Sequence, residues 1–163
     1  LHTNSAIESI PRLVNMGLPP FMTAPALDTV IGQRLVRKVC KNCSKFKPIS
    51  ESERKEFENI MQILAKVNPT SVVEIPAQVP TVVGCEACSN TGYSGRIVLA
   101  EVITVNQEIK DLILNNASMV EMIAAARKEG IITMREDGFL KVAAGLTTLE
   151  EVYRVTNVLG QLS

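Results

Sequence analysis

"GCEACSNTGYSGR", residues 84–96, sets two cysteines three positions apart in a glycine-rich frame, and "CKNC" at residues 40–43 nearly repeats the pair. The chain holds four cysteines in all, so every one belongs to these two turns. A Cys-x-x-Cys turn aims two thiols at one point. Two such turns brought together offer four sulfurs in a tetrahedron, the arrangement zinc takes in closed structural sites. Gly92 and Gly95 allow the backbone behind the second pair to curl so that its amides face charged sulfur. Cys40, Cys43, Cys85 and Cys88 are therefore read as one metal clamp that holds the middle of the chain in shape.

The 41 residues between the pairs (44–84) exceed the usual zinc-ribbon spacing. The excess costs little: a loop two to three times longer adds about 0.8 kcal/mol of closure entropy. Structural zinc contributes about 10–16 kcal/mol in peptides. Two disulfides would require an oxidising compartment, and nothing in the sequence points to export. A redox dithiol needs one pair only, at a helix start after a strand. Four thiolates leave no open coordination position, which makes the site structural rather than catalytic. Zinc is the expected ion, and iron accepts the same ligands.

The remaining composition narrows the partners. Seventeen basic side chains balance seventeen acidic ones, so the chain lacks the basic footprint of a nucleic-acid binder. No apolar run is long enough for membrane insertion. No signal peptide is visible, which makes the cytoplasm the default expectation. The opening "LHTNSA", without an initiator methionine, reads as a piece of a longer protein.

Local signals place the elements. Ser5 and Glu8 form a capping-box pattern, predicting a helix to about Met16 that is bent at Pro11 and stopped by Gly17. A second helix is expected from Thr23 toward Gln33, with Leu27, Val30 and Ile31 on one face. "RLVRKVC" (34–40) fits helix or strand equally. Ser50 and Ser52 are candidate caps for a helix carrying Phe57, Ile60, Met61 and Leu64. Pro69, Pro76 and Pro80 keep 68–83 extended or looped. "RIVLAEVITV" (96–105) is the strongest strand. Helices follow around Ile109–Ile113, from Ser118 with Glu121 as box partner to Gly130, from Thr133 to Ala144 before Gly145, and from Thr148 with Glu151 as box partner.

Four stretches taken together resemble one family: "LHTNSAIESIPRLVNMGLPPF", "GQRLVRKVCKNC", "GCEACSNTGYSGR" and "EDGFLKVAAGLTTLEEVYRVT". They are similar, in order and over nearly the whole chain, to the C-terminal part of the secretion ATPases, the hexameric motors of type II secretion and type IV pilus assembly. The resemblance weakens in the 41-residue spacer and after Thr156. It implies a helix-rich α/β fold: the truncated end of a RecA-like core over residues 1–39, a tetracysteine zinc module over 40–95, and a C-terminal helical subdomain over 106–163. Strand 96–105 would rejoin the core. Arg34–Val39 and Arg96–Ile103 would pair antiparallel, making the zinc unit a long hairpin insertion. Val98 and Ala100 stand where family members often carry glycine and an aromatic residue.

The resemblance also implies functional roles. His2 would sit near the nucleotide γ-phosphate as a sensor, and Arg34 is a further nucleotide-binding candidate. Arg12 and Arg37 fit either phosphate or subunit contacts or plain surface ion pairs. ATP and magnesium would serve the intact protein only, because these residues contain no G-x-x-x-x-G-K-[ST] loop to anchor a triphosphate. The intact protein is expected to be a hexameric ATPase at the cytoplasmic face of the inner membrane, working against a membrane platform protein. The piece alone is expected not to hydrolyse ATP. A zinc-stabilised, non-enzymatic protein-interaction module is the alternative. Lys41, Lys45 and Lys47 are read as offsetting thiolate charge, the Glu136–Asp137 and Glu150–Glu151 pairs as structural acids in helix first turns, and the methionines as core.

Overall fold

The computed structural model describes residues 3–156. They form seven α-helices and four strands, with short 3₁₀ turns at Pro69–Ser71 and Glu86–Cys88: α1 (Ser9–Asn15), α2 (Pro20–Ala26), β1 (Thr29–Val39), β2 (Lys45–Pro48), α3 (Glu51–Val67), β3 (Gln78–Thr81), β4 (Tyr93–Thr104), α4 (Gln107–Leu114), α5 (Met119–Lys128), α6 (Met134–Ala143) and α7 (Leu149–Thr156). The fold is therefore helix-rich α/β, as expected. No helix among the described residues is long and apolar enough to cross a membrane.

Among the described residues two compact units result, one from 3–33 with 100–133, the other from 34–99 with 134–156. β1 and β4 pair as one sheet. The Val105 amide donates to the Asp28 carbonyl at 2.8 Å, and the Cys40 amide donates to the Gly92 carbonyl at 2.9 Å. Each start thus meets the other strand's end, and the pair is antiparallel. This resolves the "RLVRKVC" ambiguity as strand.

In the first unit, Ala6, Ile7 and Ile10 pack with Ile103, Val105, Ile109, Ile113 and Met122 in a closed apolar core. Glu101 is buried there and its carboxylate accepts the Ala6 amide at 2.8 Å. In the second unit, Phe57, Ile60, Met61 and Leu64 form the inward face of α3. Phe57 meets Phe139 edge-on with ring centroids 4.8 Å apart. A buried ring of this kind contributes about 1.5–3 kcal/mol by area, and the edge contact about 0.5–1.5 kcal/mol more. β2 and β3 pair antiparallel, with Phe46 opposite Pro80 and Lys47 opposite Val79. The α6–α7 crossing is tight: a Cβ added at Gly138 would fall 2.5 Å from a Val152 methyl.

The local helix signals hold where a cap is sequence-local. Ser50 accepts from the Glu53 amide while Glu53 returns a bond to the Ser50 amide, and Ser118 with Glu121 does the same. Gly17, Gly130 and Gly145 all adopt positive φ at helix ends.

Three expectations need correction. The helix predicted from Ser5 starts at Ser9, because the Glu8 carboxylate bonds the Asn4 amide rather than closing a box with Ser5. Pro11 then falls in the first turn, where its missing N–H costs no helical bond, so no bend is required. The helix predicted over Thr23–Gln33 is instead the short α2 followed by β1. Pro25 removes a donor, Leu27 is extended at φ −97°, ψ 123°, and the β-branched Thr29–Val30–Ile31 run enters the sheet. Nor are all the methionines core: Met61, Met122 and Met134 are buried, whereas Met16 and Met22 are exposed.

Candidate metal centre

The two cysteine turns form where β1 ends and just before β4 begins. After β1, the Cys40 carbonyl accepts the amides of Cys43 and Ser44 at 3.3 and 2.9 Å, closing the first turn. In the second turn, the Cys85 carbonyl accepts the amides of Cys88 and Asn90 at 3.1 and 2.8 Å. Ser89 and Asn90 both take left-handed conformations there.

These turns bring all four sulfurs within 4.8 Å of one another. Cys40–Cys85 is 4.0 Å, Cys43–Cys88 is 3.7 Å and Cys85–Cys88 is 3.7 Å. A tetrahedron with zinc–sulfur bonds of about 2.3 Å has sulfur–sulfur edges of about 3.8 Å. A disulfide would need about 2.05 Å, and all four cysteines are free. The donor set and its spacing therefore fit a tetrahedral thiolate-bound ion.

Backbone amides complete the surround. Cys88 sulfur accepts the amides of Cys85 and Gly92, each at 3.2 Å. Burial raises the Cys88 thiol pKa, but those amides and the Cys43 and Cys85 thiols outweigh it and hold it down at about 6. Burial and the three other thiols push Cys43 up to about 12 against the Gly84 amide, which acts to lower it.

Gly92 behaves as expected, at φ +77° with its amide on sulfur. Gly84 supplies the other amide and was not anticipated. Its position immediately before Cys85 was the available signal: at φ +104° a Cβ would lie 2.6 Å from the Asn90 carbonyl oxygen. Of the nearby lysines, Lys47 pairs with Glu53 at 3.0 Å and stands 3.8 Å from Glu150.

His2 falls outside the described residues. Arg34 is half-buried on β1 and engaged in interactions within the fold. Arg12 lines an open cleft with Thr3, Asn4, Glu8 and Asn15. Arg37 takes the ion-pair role, its Nη2 lying 2.7 Å from Glu151. Glu151 keeps only half of its expected box. Its amide donates to Thr148 Oγ1 at 3.4 Å, but its carboxylate turns to Arg37 and Arg154. Those two guanidinium groups overcome burial and hold it at about 2.

Residues 1–154 match the family described as Type II/IV secretion system protein. The chain is 40% identical over 153 residues to the type IV pilus assembly ATPase PilB of Thermus thermophilus, covering 93% of this chain and 16% of that protein. It is 36% identical over 155 residues to the type IV pilus assembly ATPase TfpB of Acinetobacter baylyi, covering 95% and 25%. It is 36% identical over 159 residues to type II secretion system protein E of Pectobacterium carotovorum, covering 96% and 28%. The chain spans little more than a quarter of the length of these relatives, or less.

Proposed function

The chain belongs to the Type II/IV secretion system protein family, and on that premise we propose that it is the metal-clamped C-terminal portion of an ATPase that powers type II secretion or type IV pilus assembly. The observation that carries this reading is the conjunction of 36–40% identity across nearly the whole chain to such proteins with four sulfurs at tetrahedral separations. Cys40, Cys43, Cys85 and Cys88 would hold zinc. With four thiolates and no open position, the ion would supply folding energy and rigidity rather than chemistry.

In this reading residues 1–39 and strand 96–105 close a RecA-like core, 40–95 form the zinc module and 106–163 the helical end. The motor would work as a hexamer at the cytoplasmic face of the inner membrane, against a platform protein. His2 would sense the γ-phosphate through an imidazole N–H, and Arg34 would assist nucleotide binding. ATP and magnesium belong to the intact motor, since these 163 residues contain no G-x-x-x-x-G-K-[ST] loop. A polypeptide of these residues alone would release no phosphate from ATP.

Metal analysis with thiol titration tests the reading. The purified chain is expected to carry one zinc, to hide its four thiols from a thiol reagent, and to reveal all four after chelation. Disulfide-bonded cysteines, or a chain that takes up no zinc when supplied with it, would refute the clamp. ATP hydrolysis by the isolated chain that survives chelation would refute the assignment of the chemistry to the rest of the motor.

A further inference from the structure

Both arms of the sulfur cluster lead away into a single polar network at the start of α7. On the first arm, three residues before Cys40, the Arg37 amide donates to Glu151 Oε2 at 2.8 Å. The Arg37 side chain donates to Glu151 Oε1 through Nε at 3.0 Å and Nη2 at 2.7 Å. The Arg37 carbonyl accepts from Thr147 Oγ1 at 2.8 Å. The Val39 amide, next to Cys40, donates to the Leu146 carbonyl at 3.1 Å.

The second arm reaches the same turn. Gly92, whose amide carries the Cys88 sulfur, is followed by Tyr93, and the Tyr93 hydroxyl lies 3.0 Å from Thr148 Oγ1. The Arg37 guanidinium stacks over the Tyr93 ring, 4.1 Å from its centroid, and so joins the two arms. Thr147, Thr148 and Glu151 are all essentially buried. Arg154 completes Glu151 with bonds of 3.0 and 2.7 Å. None of these groups touches a sulfur.

A buried carboxylate gripped by two guanidinium forks fixes geometry, because each fork admits one orientation. Here it fixes where β1 ends and hence where Cys40 begins. The Tyr93–Thr148 contact fixes Gly92 and hence the amide on Cys88. Without the α7 turn, the arms nearest the sulfurs keep the β1–β4 pairing, the Cys40–Gly92 backbone bond and the Arg37–Tyr93 stack, and lose every bond to Leu146, Thr147, Thr148 and Glu151.

We propose that Thr148 and Glu151 are positioning residues for the four-sulfur centre, so that metal retention and docking of α7 are coupled. The inference rests on the metal reading above. Coupling is reciprocal: the factor by which docked α7 tightens the metal is the factor by which bound metal tightens α7. Loss of the ion would therefore loosen the C-terminal helix.

The test uses the zinc-loaded chain and a chromophoric chelator. Glu151→Gln and Tyr93→Phe are expected to release zinc faster than the unmodified chain, by up to about 10- to 100-fold if the affinity lost on removing a ligand-orienting group falls on the off-rate. Glu150→Gln, beside it but solvent-facing, and Ser50→Ala, which weakens the same unit at the α3 cap, are expected to leave release unchanged. A purely structural role for Glu151 would not separate it from Ser50. Hydrogen exchange of α7 amides in the unmodified chain is expected to accelerate once zinc is removed.

Unchanged release in Tyr93→Phe, which keeps the ring under Arg37 and loses one hydroxyl, together with unchanged release in a folded Glu151→Gln, would overturn the proposal. So would α7 exchange indifferent to zinc, a measurement that needs no variant. A chain that binds no zinc refutes the metal reading itself; one that binds zinc with these results refutes the coupling alone.

Discussion

Gly92→Ala is the sharpest single perturbation of the sulfur cluster. Gly92 sits at φ +77°, and a Cβ there would lie 2.4 Å from Val82 Cβ and 3.0 Å from one Val82 methyl. A left-handed conformation costs a non-glycine residue about 1–2 kcal/mol. Carbon atoms rest about 3.5–4.0 Å apart, so the two segments must separate by about 1 Å. Val82 cannot swing away, because the clashing atom is bonded to its own backbone. That displacement is an overpacking strain of about 1–3 kcal/mol, for a total of about 2–5 kcal/mol. Gly95 supplies the control, since it has φ +76° with nothing within 4 Å of an added Cβ. Gly95→Ala should therefore cost only the conformational part, about 1–2 kcal/mol. Urea unfolding in a fixed zinc buffer measures both, since bound metal itself shifts apparent stability. Val82→Gly in the Gly92→Ala background should recover the overpacking part. If Gly92→Ala and Gly95→Ala unfold within about 0.5 kcal/mol of each other, the close approach of Val82 does not constrain the cysteine arm and the reasoning fails.

Three further outcomes follow from particular contacts. Glu151 is held at about 2, below the ordinary carboxylate range, chiefly by Arg154 and Arg37 acting against burial. Its stabilising contribution is complete above about pH 5 and is lost as pH falls toward 2. Urea unfolding of metal-free protein across that window should show a slope that Glu151→Gln reduces, and equal slopes would refute the pairing. Gly138→Ala raises helix propensity by about 1 kcal/mol, yet a Cβ there meets Val152 at 2.5 Å. The substitution should lower the melting temperature, and an increase would show that α6 and α7 do not cross so closely. Ser118→Ala removes the acceptor for the Glu121 amide and should cost about 0.5–2 kcal/mol, seen as faster hydrogen exchange in the first turn of α5.

The amino-acid order alone determined whatever depends on neighbours a few residues away. The capping boxes at Ser50 and Ser118, the apolar face of α3, the strand at 96–105 and the grouping of all four cysteines into two turns are of this kind. Short-range hydrogen bonds and a period of 2 or 3.6 leave their mark in the string itself. Tertiary structure decided the partners of groups with more than one local option. Glu151 had the Thr148 turn available and instead grips Arg37, 114 positions away. Val30 and Ile31 suited a helix face as well as a sheet until β4 offered a row of backbone groups to pair. Long-range pairing settles such cases because a buried carboxylate or an open strand edge must find a partner, and nothing in the local sequence says which distant one folding will bring within reach.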